Sequence, residues 1–351
     1  MSWRHWTVRK LLNKAAADRD FKRRRVHCRG LPYQICIEAS NICNTNCQLC
    51  PLGQGFRPRP TRGLIPVERF ETILDDIAWH THSLGLYNWG EPLLHPRIFD
   101  MVRMAESRRL STHISSNLHF IRASFADEMI RSGLDLLIAS VHAITQESYE
   151  AYQPGKDINE PLDAIRQIVR RKTELASRTP EVQLQFVVHR QNEAEVPRLV
   201  DFARSLGVTY TLTPVSLNLR FLDVDKEMRP LHRPHDAILT DIRKMFDEWL
   251  PRDPAFVNPY YAWLREDPQR YFLRPPRVHR CNSLWQQCII APDGDVMPCC
   301  GAYHESERMG NILQEPLAKI WNSPAYQAAR RAYVNGESNE TVCSCCSGML
   351  L

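Results

Sequence analysis

Between residues 33 and 216 the chain alternates short apolar runs with segments of helical spacing, six times in succession. The runs at 33–38, 84–89, 112–117, 134–141, 182–189 and 208–215 read as strands. The segments at 66–81, 97–109, 122–132, 159–177 and 193–206 carry apolar residues at helical period. Strands and helices in strict alternation require a parallel sheet with helices outside it. The fold class is therefore α/β, either an incomplete TIM-like barrel or a doubly wound sheet. In such folds the carboxyl ends of the strands build the active site, so the chemistry is expected there.

The remaining chain divides into three parts. Residues 1–32 form a basic extension: the first 25 residues hold nine Lys/Arg against two Asp. They contain no apolar stretch of the signal-peptide kind. Two uses suit this segment, an amphipathic helix touching a membrane or an acidic partner, or a helix closing the bottom of a barrel. Residues 33–220 are the alternating body. Residues 221–280 are rich in Pro, Arg and aromatics, with one helix near 236–250, and read as a bridge. Residues 281–351 are turn-rich and dense in cysteine. The net charge of +5 resides in the extension, so the body is no polycation and nucleic acid is not an expected partner. No run approaches 18 apolar residues, which argues against a membrane-spanning helix.

Cysteine is the most informative residue type. Twelve cysteines fall in two clusters, with none between Cys50 and Cys281. A secreted disulfide scaffold is usually small and evenly stapled, so metal or iron–sulfur ligation is the better reading. Cys43, Cys47 and Cys50 stand at C-x3-C-x2-C spacing just after the first strand. Three thiolates on one short loop suit one corner of a 4Fe–4S cubane whose fourth iron stays open for an exchangeable ligand. The alternative is a zinc site with a fourth ligand elsewhere.

ICIEASNICNTNCQLCP resembles the signature of the radical S-adenosylmethionine (SAM) superfamily. That resemblance implies a partial (β/α)6 TIM-like barrel with SAM on the open iron. Reductive cleavage of SAM would then give a 5′-deoxyadenosyl radical that abstracts a substrate hydrogen. Asn88-Trp89-Gly90-Glu91-Pro92 resembles the superfamily's GGEP motif. By that likeness Glu91 would accept from the SAM ammonium, and Gly90 would let the backbone approach the ligand. Ser116 and Asn117 end the third strand and Ser140 the fourth, at positions that contact SAM in relatives. The run ASVHAITQESYEAYQPG also resembles a superfamily pattern, with two departures. His142 replaces an Asp, and Gln153 replaces an Arg that helps hold the SAM carboxylate. Leu49 stands where many relatives place an aromatic residue near the adenine. His142 is a candidate to bind substrate or take a proton.

The second cluster, with Gly294-x4-Cys299 and Cys343-x2-Cys346, resembles the SPASM/twitch auxiliary domain. APDGDVMPCC reads as a hairpin with an Asp-Gly turn, and GNILQEPLAKIWNSPAYQAARR as the domain's strand–helix unit. The resemblance implies a second 4Fe–4S cluster on Cys281, Cys299, Cys343 and Cys346, in the one-cluster twitch form. Cys28, Cys36, Cys288, Cys300 and Cys345 are left over. Among them Cys288, Cys300 and Cys345 are candidates for a ligand or a hydrogen donor.

The expected activity is two-electron dehydrogenation of a small polyol, sugar or aminocyclitol, with the auxiliary cluster as electron acceptor. His142, Arg190 and Arg220 are the candidate base or substrate contacts. Epimerisation with a cysteine hydrogen donor is the second expectation, and oxidation of a ribosomal peptide the third. A non-catalytic iron–sulfur or zinc protein is the reading from another class. The implied partners are a small-molecule substrate and a low-potential donor such as flavodoxin or ferredoxin. Both clusters suit a reducing cytoplasm.

Overall fold

The computed structural model describes residues 3–56, 63–119, 124–273, 281–302 and 304–335. Helix α1 (Val8–Lys22) precedes strand β1 (Gln34–Ile37). There follow α2 (Val67–Ile77), β2 (Ser83–Gly85), α3 (Ile98–Ser107), β3 (Ser111–Ser116), α4 (Phe125–Arg131) and β4 (Leu136–Ser140). Two helices come next, α5 (Gln146–Tyr152) and α6 (Asn159–Glu174), then β5 (Glu181–Val188), α7 (Val196–Leu206) and β6 (Thr209–Pro214). Helix α8 (His235–Trp249) lies in the bridge, and β7 (Gln287–Ile290), β8 (Asp295–Met297) and β9 (Gly310–Asn311) follow it. The periodicity finds every unit of the body except the short helix α5.

Strands β1 to β6 pair in parallel, each with the next. The sheet order is β6-β5-β4-β3-β2-β1-β7-β8-β9, so the sheet does not close on itself. Strand β7 pairs in parallel with β1, and β8 and β9 continue antiparallel. The cysteine-dense segment thus extends the same sheet as the body.

Alternation within the strands separates two faces. Ile35, Ile37, Leu84, Ile114, Leu137 and Leu184 turn toward the helices and are buried in the main core. Helix α2 meets them with Phe70, Ile73, Leu74 and Ile77, spaced to share one stripe. Removing a buried side chain of this size costs about 2–5 kcal/mol. The opposite face is the lumen of the partial barrel. There Cys36 pairs with Gly85 and with Ile289, Gly85 with His113, and Ile289 with Met297, giving one row across five strands.

The basic extension docks on the amino ends of the strands. Thr7 caps α1, accepting from Lys10 N. The buried Lys10 Nζ donates to Arg109 O at 2.6 Å, and Asn13 Nδ2 donates to Leu31 O and His80 O. Trp6 stacks on His82 at 3.7 Å between ring centroids. The helix therefore closes the bottom of the barrel and leaves Val8, Leu11 and Leu12 outward. Among the described residues no helix is long and apolar enough to cross a membrane.

Candidate functional site

The cysteine loop leaves the carboxyl end of β1 and is gripped from three directions. Glu91 N donates to Ile42 O, Gln48 N to Tyr152 O, and Asn218 Nδ2 to Leu49 O. The last contact ties the loop to the segment that follows β6. Leu49 is 4% exposed and packs with Tyr152, Val215, Leu217 and residues of α8 in a second apolar core. Its side chain is part of that core.

The thiols of the loop face side-chain donors. The Thr45 hydroxyl lies 3.2 Å from Cys43 Sγ and 3.5 Å from Cys47 Sγ. Gln153 Nε2 donates to Cys47 Sγ at 3.2 Å, and Asn117 Nδ2 to Cys43 Sγ at 3.8 Å. Burial pushes the Cys47 and Cys50 thiols up, Cys50 to about 12. Thiolates form in such a place when a cation offsets their charge, as iron does. Among the described residues, the three-residue set whose ligand atoms all lie within 4.8 Å of one another is His5, Glu106 and Asp135, not the three cysteines. The three sulfurs are therefore not gathered around one point as the thiolates of a zinc site, about 2.3 Å from the ion, would be. Gln153 Oε1 and Asn44 Nδ2 are buried beside the loop without hydrogen-bond partners. The residues present therefore fit a cluster with a polar ligand on it.

Glu91 is buried at the end of the second unit. Its Oε1 accepts from Leu93 N at 2.9 Å and Ser116 Oγ at 2.8 Å, and its Oε2 accepts from Asn117 N at 2.9 Å. One acceptor position on Oε2 remains. Burial raises the carboxyl to about 7, against the pull of those three donors. Gly90 has a reason other than ligand approach. A Cβ there would stand 2.0 Å from Ser40 O and 2.6 Å from Ser40 C, so glycine is needed for the backbone of the loop after β1 to pass. Ser140 Oγ lies 2.9 Å from Ser115 Oγ, a hydroxyl pair on the lumen.

The three candidates for substrate chemistry have architectural partners. His142 Nδ1 accepts from Val187 N at 3.2 Å, and burial lowers its pKa to about 3. The imidazole is held neutral, with its acceptor nitrogen used, and is a poor base. Arg190 Nε donates to Leu250 O and its backbone N to Trp249 O, fixing α8 to the end of β5. Arg220 donates to Gly301 O at 2.7 Å and to the buried Glu307 carboxylate at 3.1 Å. It joins the end of the body to the cysteine-dense segment. Strand-end logic alone selected all three, and it does not distinguish a rim residue from a strut.

In the C-terminal segment Cys281 N donates to the Tyr333 hydroxyl at 2.9 Å. Cys299 and Cys300 pack with Cys36 against Ile289, Met297 and Ala302. Cys343, Cys345 and Cys346 lie outside the described residues. Cys288 is fully buried in the main core, where burial raises its thiol. Cys28 is likewise buried.

Sequence reasoning missed Thr45, His119 and Tyr149. His119 Nδ1 meets Glu160 Oε2 at 2.7 Å and its Nε2 meets the Tyr149 hydroxyl at 2.8 Å. Only Tyr149 had a signal, its place in the run from Ala139 to Gly155.

Two sequence families match the chain. One, described as the radical SAM superfamily, covers residues 37–203, and the other, SPASM, an iron–sulfur cluster-binding domain, covers residues 281–347. A tungsten-containing aldehyde ferredoxin oxidoreductase cofactor-modifying protein of Pyrococcus furiosus is 24% identical over 312 residues, 83% of this chain and 81% of that protein. The PqqA peptide cyclase of Gluconobacter oxydans is 26% identical over 314 residues, 85% of this chain and 79% of the cyclase. SuiB of Streptococcus suis, solved with its precursor peptide SuiA, shares the fold with a TM-score of 0.61 at 15% identity. That match covers 91% of this chain and 71% of SuiB.

Proposed function

Because the chain belongs to the radical SAM superfamily and carries a SPASM domain, we propose that it oxidises a carbon centre of a peptide substrate by two electrons. Enzymes of this build hold SAM and two 4Fe–4S clusters. One observation carries the reading. Strand β1 pairs with β2 on one side and β7 on the other, so the loop of Cys43, Cys47 and Cys50 and the hairpin of Cys299 border one lumen.

Cys43, Cys47 and Cys50 hold the SAM-binding cluster, and Cys281, Cys299, Cys343 and Cys346 hold the auxiliary one. When bound, the first cluster and SAM supply a 5′-deoxyadenosyl radical that takes a substrate hydrogen atom, and the auxiliary cluster supplies an acceptor for the electron left behind. The open acceptor position of Glu91 Oε2 receives the SAM ammonium. Ser116 and Asn117 orient that carboxylate, and Gly90 brings it to the loop. Gln153 Oε1 is a second acceptor beside the cluster. The Ser115–Ser140 hydroxyl pair faces the ribose side of the lumen. His142, Arg190 and Arg220 fix the walls. The electron for the first cluster would come from an external low-potential protein such as flavodoxin or ferredoxin.

A peptide is favoured because the PqqA peptide cyclase is among the aligned relatives and SuiB was solved on a precursor peptide. A small polyol or aminocyclitol is the second reading. The hydroxyl pair on the lumen favours it. Either substrate would give up a hydrogen atom to the radical, an electron to the auxiliary cluster and a proton to a base other than His142, whose Nδ1 is already used by Val187 N.

The test is anaerobic turnover of the reduced, reconstituted enzyme with short peptides and a panel of polyols and aminosugars. The reading expects a peptide product lighter by two hydrogens, with 5′-deoxyadenosine formed one for one. Oxidation of polyols alone would move the assignment to the second reading. A product of unchanged mass carrying solvent deuterium would replace oxidation by epimerisation.

A further inference from the structure

One buried histidine touches the segments that carry the two amides reaching the loop sulfurs: its main-chain N–H meets the Asn117 side chain, and its ring meets Tyr149, whose main-chain carbonyl accepts from Gln153 N. His119 N donates to Asn117 Oδ1 at 3.0 Å, which turns the Asn117 Nδ2 toward Asn44 Oδ1 at 2.8 Å and Cys43 Sγ at 3.8 Å. On its other side the His119 ring meets the Tyr149 hydroxyl of α5. Tyr149 O accepts from Gln153 N at 2.7 Å, and Gln153 Nε2 donates to Cys47 Sγ. Glu160, half-exposed, accepts from His119 Nδ1. That bond fixes the tautomer, leaving Nε2 as the acceptor for the tyrosine hydroxyl. Both His119 and Tyr149 are buried, so neither exchanges these partners for water.

We propose that Glu160, His119 and Tyr149 form a positioning relay that holds the Asn117 and Gln153 amides on the thiolates of the SAM-binding cluster and so raises its reduction potential. The physical reason is direct. An N–H aimed at a ligating sulfur stabilises the extra electron of the reduced cluster. His119 acts through the amides and touches neither cluster nor SAM. The relay gives Gln153 a use that its departure from the superfamily's Arg leaves open. It rests on the assignment of Cys43, Cys47 and Cys50 as cluster ligands.

The experiment compares full-length reconstituted wild type with Tyr149→Phe, Glu160→Gln and Gln153→Leu. Midpoint potentials are measured by EPR-monitored redox titration in an auxiliary-cluster-free background made by Cys281→Ala/Cys299→Ala. Gln153→Leu is expected to shift the midpoint negative. Tyr149→Phe and Glu160→Gln are expected to shift it in the same direction, and Tyr149→Phe to add less in the Gln153→Leu background than alone. Iron content close to wild type separates this from collapse of the loop. If Tyr149→Phe does not load iron, Glu160→Gln carries the test, since its site is half-exposed. Wild-type midpoints in Tyr149→Phe or Glu160→Gln, with the Gln153→Leu shift intact, overturn the relay. An unshifted Gln153→Leu overturns the amide contact itself. The underlying ligand assignment fails separately, if a Cys43→Ala/Cys47→Ala/Cys50→Ala variant keeps all its iron.

Discussion

Cys36 of β1 and Ile289 of β7 face each other across parallel strands that lie at opposite ends of the chain. The pairing sets Cys299 and Cys300 beside the lumen instead of in a separate lobe. A substrate held between the two cysteine groups is then bordered by both.

Ile289 is the strut of that arrangement. Ile289→Ala is expected to cost about 3 kcal/mol, the loss for a buried aliphatic side chain. Iron analysis after gel filtration should show the auxiliary cluster lost before the SAM-binding one. Equal loss of both would mean that β7 does not support the hairpin selectively.

Gly90 should tolerate no side chain. The atoms a Cβ would strike are Ser40 backbone, which cannot rotate away. Gly90→Ala is expected to cost about 3 kcal/mol, the upper part of the usual overpacking range. A urea midpoint equal to wild type would contradict the close approach.

The Glu91 carboxyl, raised to about 7 by burial, sits above its ordinary value of 4.5. Between these values the native state binds more protons than the unfolded chain, so stability falls as pH rises through that window. The group's share is about 3 kcal/mol between pH 4.5 and 7. Buried histidines act in the opposite sense: burial lowers His113 and His189 to about 4, so their contribution is lost as pH falls below 6.5. The comparison therefore needs Glu91→Gln beside wild type, with urea unfolding of the metal-free protein at pH 5 and 8. The variant should lack the Glu91 share. Identical pH dependences would show that Glu91 is not held as described.

Arg220 should behave as a strut. Arg220→Met removes one partner of a buried Glu307 carboxylate and a donor to Gly301 O. Its half-open position tempers the cost to about 2 kcal/mol. The melting temperature should fall while KM for substrate stays near wild type. A raised KM at unchanged stability would return Arg220 to the substrate site.

The sequence and the structure agree where chemistry follows local pattern. Periodicity placed β3, β5 and α6, because alternation and the 3.6-residue repeat are read within one segment. Spacing singled out Cys43, Cys47 and Cys50 for the same reason. What escaped depends on partners distant in the chain. Tyr149 meets His119 across 30 positions, and Leu49 meets α8 across nearly 200. His142 and Arg190 sit just past strand ends and Arg220 in a helical turn beyond β6, but whether such a side chain points at a substrate or at a carbonyl is decided by its neighbours.

The central claim is a pair of clusters sharing one lumen, one of them opening on SAM. Its most direct test is an iron count with SAM cleavage on the anaerobically reconstituted, reduced protein. The account predicts about eight irons per chain and formation of 5′-deoxyadenosine. Cys43→Ala/Cys47→Ala/Cys50→Ala should keep about half the iron and lose all cleavage. Cleavage that survives in that variant, or a wild type that forms no 5′-deoxyadenosine under strong reduction, would contradict it.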